Sequence, residues 1–225
     1  MTVYFILLLI VSYFSGSIPS AYLMGKWFRG IDIRKFGSGN VGVSNLIHAT
    51  SVPIALPAIV MDLAKGIVPI WIADVIGLGP SQQAAIAVVS VIGHNWSIFL
   101  NFNGGRGALT TLGVTLFLPL FNGYFPWEII AFFAIMIPSL LIFRNIPVGF
   151  LVSMATFPLV SWLSGKPLAI TLGFVALLII LVVRRLAVPV SPEAMSLSTQ
   201  ELLLNRLLYD RDIKDRESWI NRRAN

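Results

Sequence analysis

Apolar residues occur along this chain in long runs rather than in alternation. Seven stretches, at roughly 3–27, 52–78, 83–102, 108–121, 127–143, 147–164 and 168–183, approach the about 20 residues that a helix needs to cross a hydrocarbon core. The second is interrupted by Asp62 and Lys65, and the fourth is short. The first run has no basic residue before it and no small-residue cleavage site after it, so it reads as a retained span. The pattern predicts an all-α integral membrane protein of about seven transmembrane helices, with two polar, glycine-rich segments, 30–48 and 103–107, between spans.

Composition sharpens this. Of 225 residues, 56% are apolar and 12% charged, and the mean hydropathy is +0.84. Soluble domains carry about 25% charge, so this chain lacks the ionic side chains to cover a water-facing surface. Residues 1–185 form a membrane domain that holds the whole net charge of +6, and residues 186–225 form a charge-balanced tail. Seven spans place Lys26, Arg29, Arg34, Lys35, Arg106, Arg144, Arg184 and Arg185 on one face and leave Lys166 on the other. The positive-inside bias makes the basic face cytoplasmic, with the N-terminus outside and the C-terminus inside. Both glycine-rich segments then share that face. In the tail, Ser198-Thr199-Gln200-Glu201 is a capping-box signature. Leu203, Leu204, Leu207, Leu208 and Ile213 come after it as an apolar stripe, which predicts a cytoplasmic amphipathic helix.

The chain has no cysteine and two histidines, which excludes thiolate chemistry and a multi-histidine metal centre. Gly37, Gly39 and Gly42 satisfy a G-x-G-x-x-G spacing, but the flanking elements are spans rather than a strand and a helix, so a dinucleotide fold is rejected. The physical content of the segment survives that rejection. Its glycines can turn backbone N–H groups towards an anion, beside the side chains of Ser38, Asn40, Ser44 and Asn45 and the charges of Arg34 and Lys35. The segment Asn103-Gly104-Gly105-Arg106-Gly107 opens a helix, so a guanidinium stands at the positive end of a helix dipole. His94 lies at membrane depth, where a polar residue faces a cavity or a partner. Asp62 and Lys65 share a helix face and can neutralise one another. Neither histidine is followed by an aspartate at the H-x-x-x-x-D spacing, no spaced aspartate cluster for metal-dependent transfer exists, and Gly25-Lys26-Trp27 is no Walker motif.

On these residues the chain resembles the bacterial acyl-phosphate:glycerol-3-phosphate acyltransferase family, the PlsY family. The resemblance is carried by Ser17-Ile18-Pro19-Ser20, Gly37 to Asn45, Asp62-Leu63-Ala64-Lys65-Gly66, Gly93 to Phe99 and Gly104-Gly105-Arg106-Gly107, in order over about residues 1 to 185. It implies a seven-helix fold and transfer of a fatty acyl group from acyl phosphate to the 1-hydroxyl of glycerol 3-phosphate, giving lysophosphatidate in the bacterial inner membrane. Its partners would be those two substrates and membrane lipid, with no cofactor, no metal and no nucleic acid.

The resemblance implies Ser38, Asn45 and Arg106 as catalytic residues, with Gly37, Gly39, Asn40, Gly42, Gly104, Gly105 and Gly107 on substrate phosphate, where His48, Arg184 and Arg185 are expected to stand in for family residues that this chain lacks. Three positions depart from the family pattern. Arg106 replaces a lysine, His48 stands where an arginine usually comes after the motif's asparagine, and Arg184 to Pro189 replaces a His-Arg-x-Asn segment. Arg184, Arg185 and His48 are the residues able to restore the charge. A same-fold enzyme with another acceptor, or a non-catalytic anion or lipid-phosphate carrier or binding protein, stands as the alternative.

Overall fold

Each predicted span contains a helix in the computed structural model, which describes residues 1–221. α1 (Thr2–Ser17) and α2 (Ser20–Arg29) occupy the first, bent by 40°. A short α3 (Val43–Ala49) begins inside the first glycine-rich segment and ends one residue beyond it, so part of that predicted loop is helical. Then come α4 (Val52–Val75), α5 (Pro80–Asn95), α6 (Ala108–Phe121), α7 (Trp127–Leu141), α8 (Ile146–Leu163) and α9 (Leu168–Leu186). The tail supplies α10 (Thr199–Tyr209) and α11 (Arg216–Asn221), and no strand occurs among the described residues.

The count of seven is matched in helices but not in membrane-crossing length. Four helical segments are long and apolar enough to cross, and the bent α1–α2 pair makes a fifth. α6 and α7 have 14 and 15 residues. At 1.5 Å per residue they extend only about 21–23 Å, short of a core of about 30 Å.

The bend in the first span has a chemical cause. Pro19 lacks an N–H, so the α-helical ladder stops at Ser17 and frees backbone carbonyls inside the protein. Side chains from other helices take them up. Lys65 Nζ donates to the Ile18 carbonyl at 2.6 Å, and Ser97 Oγ donates to the Ser17 carbonyl at 2.5 Å. This is the condition under which irregular backbone is tolerated at membrane depth.

Lipid offers no hydrophobic force between helices, so close approach and internal polar contacts must hold them. α1 packs on α5, α4 on α6, α7 on α8, and α9 lies across α5 and α8. A side chain at Gly93 would meet the Tyr13 carbonyl and one at Gly66 the Thr110 carbonyl, so both crossings depend on glycine. The outer surface is apolar, with Phe143, Leu163 and Ile142 exposed, while Ser12, Ser90, Thr111 and Ser153 are buried. Lys166, the base expected apart from the others, has its side chain buried 3.1 Å from Glu128, so its charge is matched inside the protein.

The tail helix docks by its polar face. Asn205 and Arg206 are buried against the body, while Leu203, Leu204 and Leu208 of the predicted apolar stripe are exposed. The N-terminal cap holds: Ser198 Oγ accepts from the Glu201 N–H at 3.2 Å.

Candidate functional site

The first glycine-rich segment is tied by one side chain. Buried Asn45, on α3, donates from Nδ2 to the carbonyls of Ile33 (2.8 Å), Phe36 (3.1 Å) and Asn40 (2.9 Å). Its Oδ1 accepts from the Ser38 N–H at 3.1 Å. The Gly39 N–H goes to the Phe36 carbonyl and the Asn40 N–H to Ser38 Oγ. The backbone donors expected to face an anion from Ser38, Gly39 and Asn40 are therefore used within the loop. Gly37 and Gly39 serve the turn instead, at φ of +49° and +68°, and Gly42 is the N-cap of α3. The loop presents side chains to its surroundings, namely Ser38, Asn40, Ser44 and His48.

Asn45 is a framework residue in this geometry, and its replacement tests that. Asn45→Ala takes a donor from three carbonyls, of which Ile33 and Phe36 keep a backbone N–H and Asn40 does not, and leaves the Ser38 N–H without its acceptor. It should destabilise the protein by about 2 kcal/mol, read by thermal unfolding in detergent. Asn45→Asp should be no milder, because a carboxylate has no donor for the three carbonyls. An unchanged unfolding temperature in both would overturn the assignment.

Arg34 forms a forked pair with Asp32, with Nη2 at 2.6 Å and Nε at 2.9 Å from its oxygens. The Arg34 guanidinium holds the Asp32 carboxyl below its usual range.

The second segment folds back on the end of α5. The N–H groups of Gly104 and Gly105 cap the carbonyls of Asn95 (3.2 Å) and His94 (3.0 Å), so these too are engaged. Gly107 takes the left-handed conformation, φ +73°, at the N-cap of α6. Arg106 and Arg184 clasp the backbone around each other. Arg106 Nη1 donates to the Arg184 carbonyl at 2.9 Å, and Arg184 donates from Nε and Nη2 to Gly105 (3.1 Å) and Gly104 (2.7 Å). Arg185 spends Nη1 on Leu207 (2.8 Å) and Nη2 on Pro147 (2.9 Å). Arg184 and Arg185, expected on phosphate, are buried braces whose N–H groups point at carbonyls. Their charge stays in the field of the site.

Structure also adds residues to those expected. Deep between α2, α4 and α5, Asp62 accepts from Ser20 Oγ and from Lys65 Nζ (2.6 Å), and His94 Nδ1 stands 3.6 Å away. From the tail, the Asp210 carboxylate lies 3.2 Å from Arg106 Nε and 3.9 Å from Arg185 Nε. The sequence signal for this is the cluster Arg206, Asp210, Arg211 and Asp212 in an otherwise charge-poor chain, which the leucine stripe overshadows.

These groups surround two adjoining spaces. A polar chamber of about 170 Å³ has Ser38, Asn40, Ser44, His48 and Arg106 on its walls. A cavity of about 470 Å³ shares Asn40, Ser44, His48 and Arg106, continues along Val43, Ile47, Leu109, Phe150 and Leu181, and has Asp62 and His94 in its lining. No group of three His, Asp or Glu side chains suited to a metal ion occurs among the described residues.

An all-helical body with an apolar outer surface, holding a cationic polar chamber beside a largely apolar cavity, defines a helical integral membrane protein. Comparison with known proteins narrows the class. The model of the family described as glycerol-3-phosphate acyltransferase matches residues 6–187. Two relatives from Dehalococcoides mccartyi strains, glycerol-3-phosphate acyltransferases 5 and 4, are 36% and 39% identical to this chain. The first match covers 100% of this chain and 96% of the relative, the second 97% and 94%. A crystal structure of PlsY (YgiH), an integral membrane glycerol 3-phosphate acyltransferase in its glycerol 3-phosphate form, superposes with a TM-score of 0.72 at 26% identity. That superposition covers 80% of this chain and 88% of the other. The chain belongs to the glycerol-3-phosphate acyltransferase family, as an integral membrane acyltransferase.

Proposed function

We propose that the protein transfers a fatty acyl group from acyl phosphate to the 1-hydroxyl of glycerol 3-phosphate, releasing lysophosphatidate and inorganic phosphate. The reaction takes place at the cytoplasmic face of the bacterial inner membrane, with the N-terminus outside and the tail inside. The observation that carries this reading is the junction of the two spaces at Asn40, Ser44, His48 and Arg106. An acyl phosphate needs a cationic, hydroxyl-lined place for its head beside an apolar one for its chain, and each buried methylene contributes about 0.8 kcal/mol.

The chemistry asks little covalent work of the protein. The acceptor oxygen forms a bond to the acyl carbon, the bond from that carbon to the phosphate oxygen breaks, and the hydroxyl proton goes to a phosphate oxygen of the leaving group. Arg106 balances charge on phosphate, Ser38 and Ser44 offer hydroxyl donors, and the Asn45-tied loop holds Ser38 and Asn40 in position. Orientation and fixed charge of this kind supply most of what the step needs. Glycine backbone groups contribute here as turns and helix caps, and Arg184 and Arg185 as braces.

Purified protein in lipid vesicles, given acyl phosphate and labelled glycerol 3-phosphate, should form labelled lysophosphatidate and inorganic phosphate in equal amounts. Product with acyl thioester but none with acyl phosphate would overturn the donor. Acylation of a different acceptor in the same vesicles, with none of glycerol 3-phosphate, would overturn the acceptor.

A further inference from the structure

The matched family residues end at 187, yet the polar chamber does not close without the tail beyond them. Opposite Ser38, Asn40, Ser44 and His48 its wall is Tyr209, Asp210, Arg211, Arg216 and Trp219. Two substrates, each bearing a phosphate, meet at this site in the proposed reaction. Arg34, Arg184 and Arg185 of the body do not line the chamber. Arg34 is forked onto Asp32, and Arg184 and Arg185 are directed at carbonyls. Among the described residues three guanidinium groups border the chamber, and two of them, Arg211 and Arg216, come from the tail.

The tail is built into place rather than draped over the body. Arg206 donates to the Leu186 carbonyl (2.5 Å) and to Asp212 (2.7 Å). Asp212 also accepts from the Ser191 N–H at 2.8 Å, and Arg185 holds the Leu207 carbonyl. Arg206 and Asp212 are buried, so residues 209–216 are held at the chamber by contacts that cost energy to break. Asp210 ends α10 in the left-handed conformation, φ +54°, which turns the chain at the site. Its carboxylate sits within reach of two arginines, Arg106 and Arg185.

We propose that the tail is a functional wall of the substrate site: Arg211 and Arg216 join Arg106 in holding a substrate phosphate in this chamber, and Asp210 is the resident anion that phosphate displaces from Arg106. This rests on the reading that the site takes phosphorylated substrates. Arg211 keeps its place by donating to the Ile213 and Lys214 carbonyls and by lying 5.2 Å over the Tyr209 ring. Arg216 is exposed at the chamber's rim, where a cation can swing onto an entering phosphate. When phosphate arrives, Asp210 has a second partner in Arg185, 3.9 Å away, so its charge is passed along rather than stranded.

The test uses the full chain in vesicles, with two readouts: calorimetric titration with inorganic phosphate, and KM and kcat for each substrate. Arg216→Gln and Arg211→Gln should each weaken phosphate binding about tenfold, the loss of one charge-assisted hydrogen bond, with Arg216→Lys recovering most of it. The KM of one phosphorylated substrate should rise by more than kcat changes. Asp210→Asn should have the opposite sign and tighten phosphate binding, which a purely structural tail would not do. Unchanged phosphate binding in both arginine variants, or weaker binding in Asp210→Asn, would overturn the proposal. A wild-type protein that binds phosphate but transfers no acyl group would overturn the proposed function and leave this site standing. One that acylates with unaltered constants in the arginine variants would do the reverse.

Discussion

Arg106→Ala should lower the transferase rate by about 10²–10³-fold, the usual cost of removing one fixed group that stabilises developing charge. Arg106 lines both the polar chamber and the apolar cavity, the place where the proposed reaction puts the junction of an acyl phosphate's head and chain. Its guanidinium also holds the Arg184 carbonyl, and through it the clasp over Gly104 and Gly105. Arg106→Lys separates the two roles. Lysine keeps the cation but loses the fork, so it should recover most of the rate while leaving the clasp loosened. Rates are read as labelled lysophosphatidate formed in vesicles. A wild-type rate in Arg106→Ala would remove this residue from the site.

The second large effect is on stability. Lys65→Met should destabilise the protein by about 3–5 kcal/mol and lower the unfolding temperature in detergent on the order of 10 °C. Lys65 is 6% exposed and Asp62 2%, and they meet at 2.6 Å. Removing the ammonium leaves a buried carboxylate with no counter-charge beside it and only the Ser20 hydroxyl donating to it. It also costs the Ile18 carbonyl at the helix break one of its two donors, the other being the Ser20 N–H. The double change Asp62→Asn with Lys65→Met should be milder than Lys65→Met alone, since a neutral amide replaces the unpaired charge. Equal stability of Lys65→Met and wild type would show that the pair is not a support of the α1–α2 break.

Much of this is legible in the residues themselves. The seven apolar stretches each contain a helix, because a run of apolar side chains long enough to sit in lipid must also satisfy its backbone internally. The spacing of Asp62 and Lys65 foretells their contact, since residues three apart on a helix share a face. Ser38, Asn40, His48 and Arg106 stand out by type, and the fold brings them to one chamber although they come from separate segments. The direction of the donors is where local pattern misleads. Glycine-rich segments suggest open backbone N–H groups, yet those of Ser38, Gly39, Gly104 and Gly105 are used on Asn45, Phe36, Asn95 and His94. In the tail the leucine stripe does not say which residues bond the body: Arg206 does so, at the Leu186 carbonyl that ends α9, while Leu203, Leu204 and Leu208 stay exposed.

The sequence alone determined the medium of this protein, its helices and the segments that carry its chemistry. Those depend on local composition, since the bilayer selects apolar length and the positive-inside bias selects where bases collect. Only the tertiary structure decided which cations face the chamber. A guanidinium in a dry setting turns towards whichever acceptor is nearest, and for Arg184 and Arg185 those are carbonyls contributed by distant parts of the chain. The same folding returns the tail to the site and puts Asp210 beside Arg106, a contact set by the packing of α10 against α8 and α9 that no local pattern encodes.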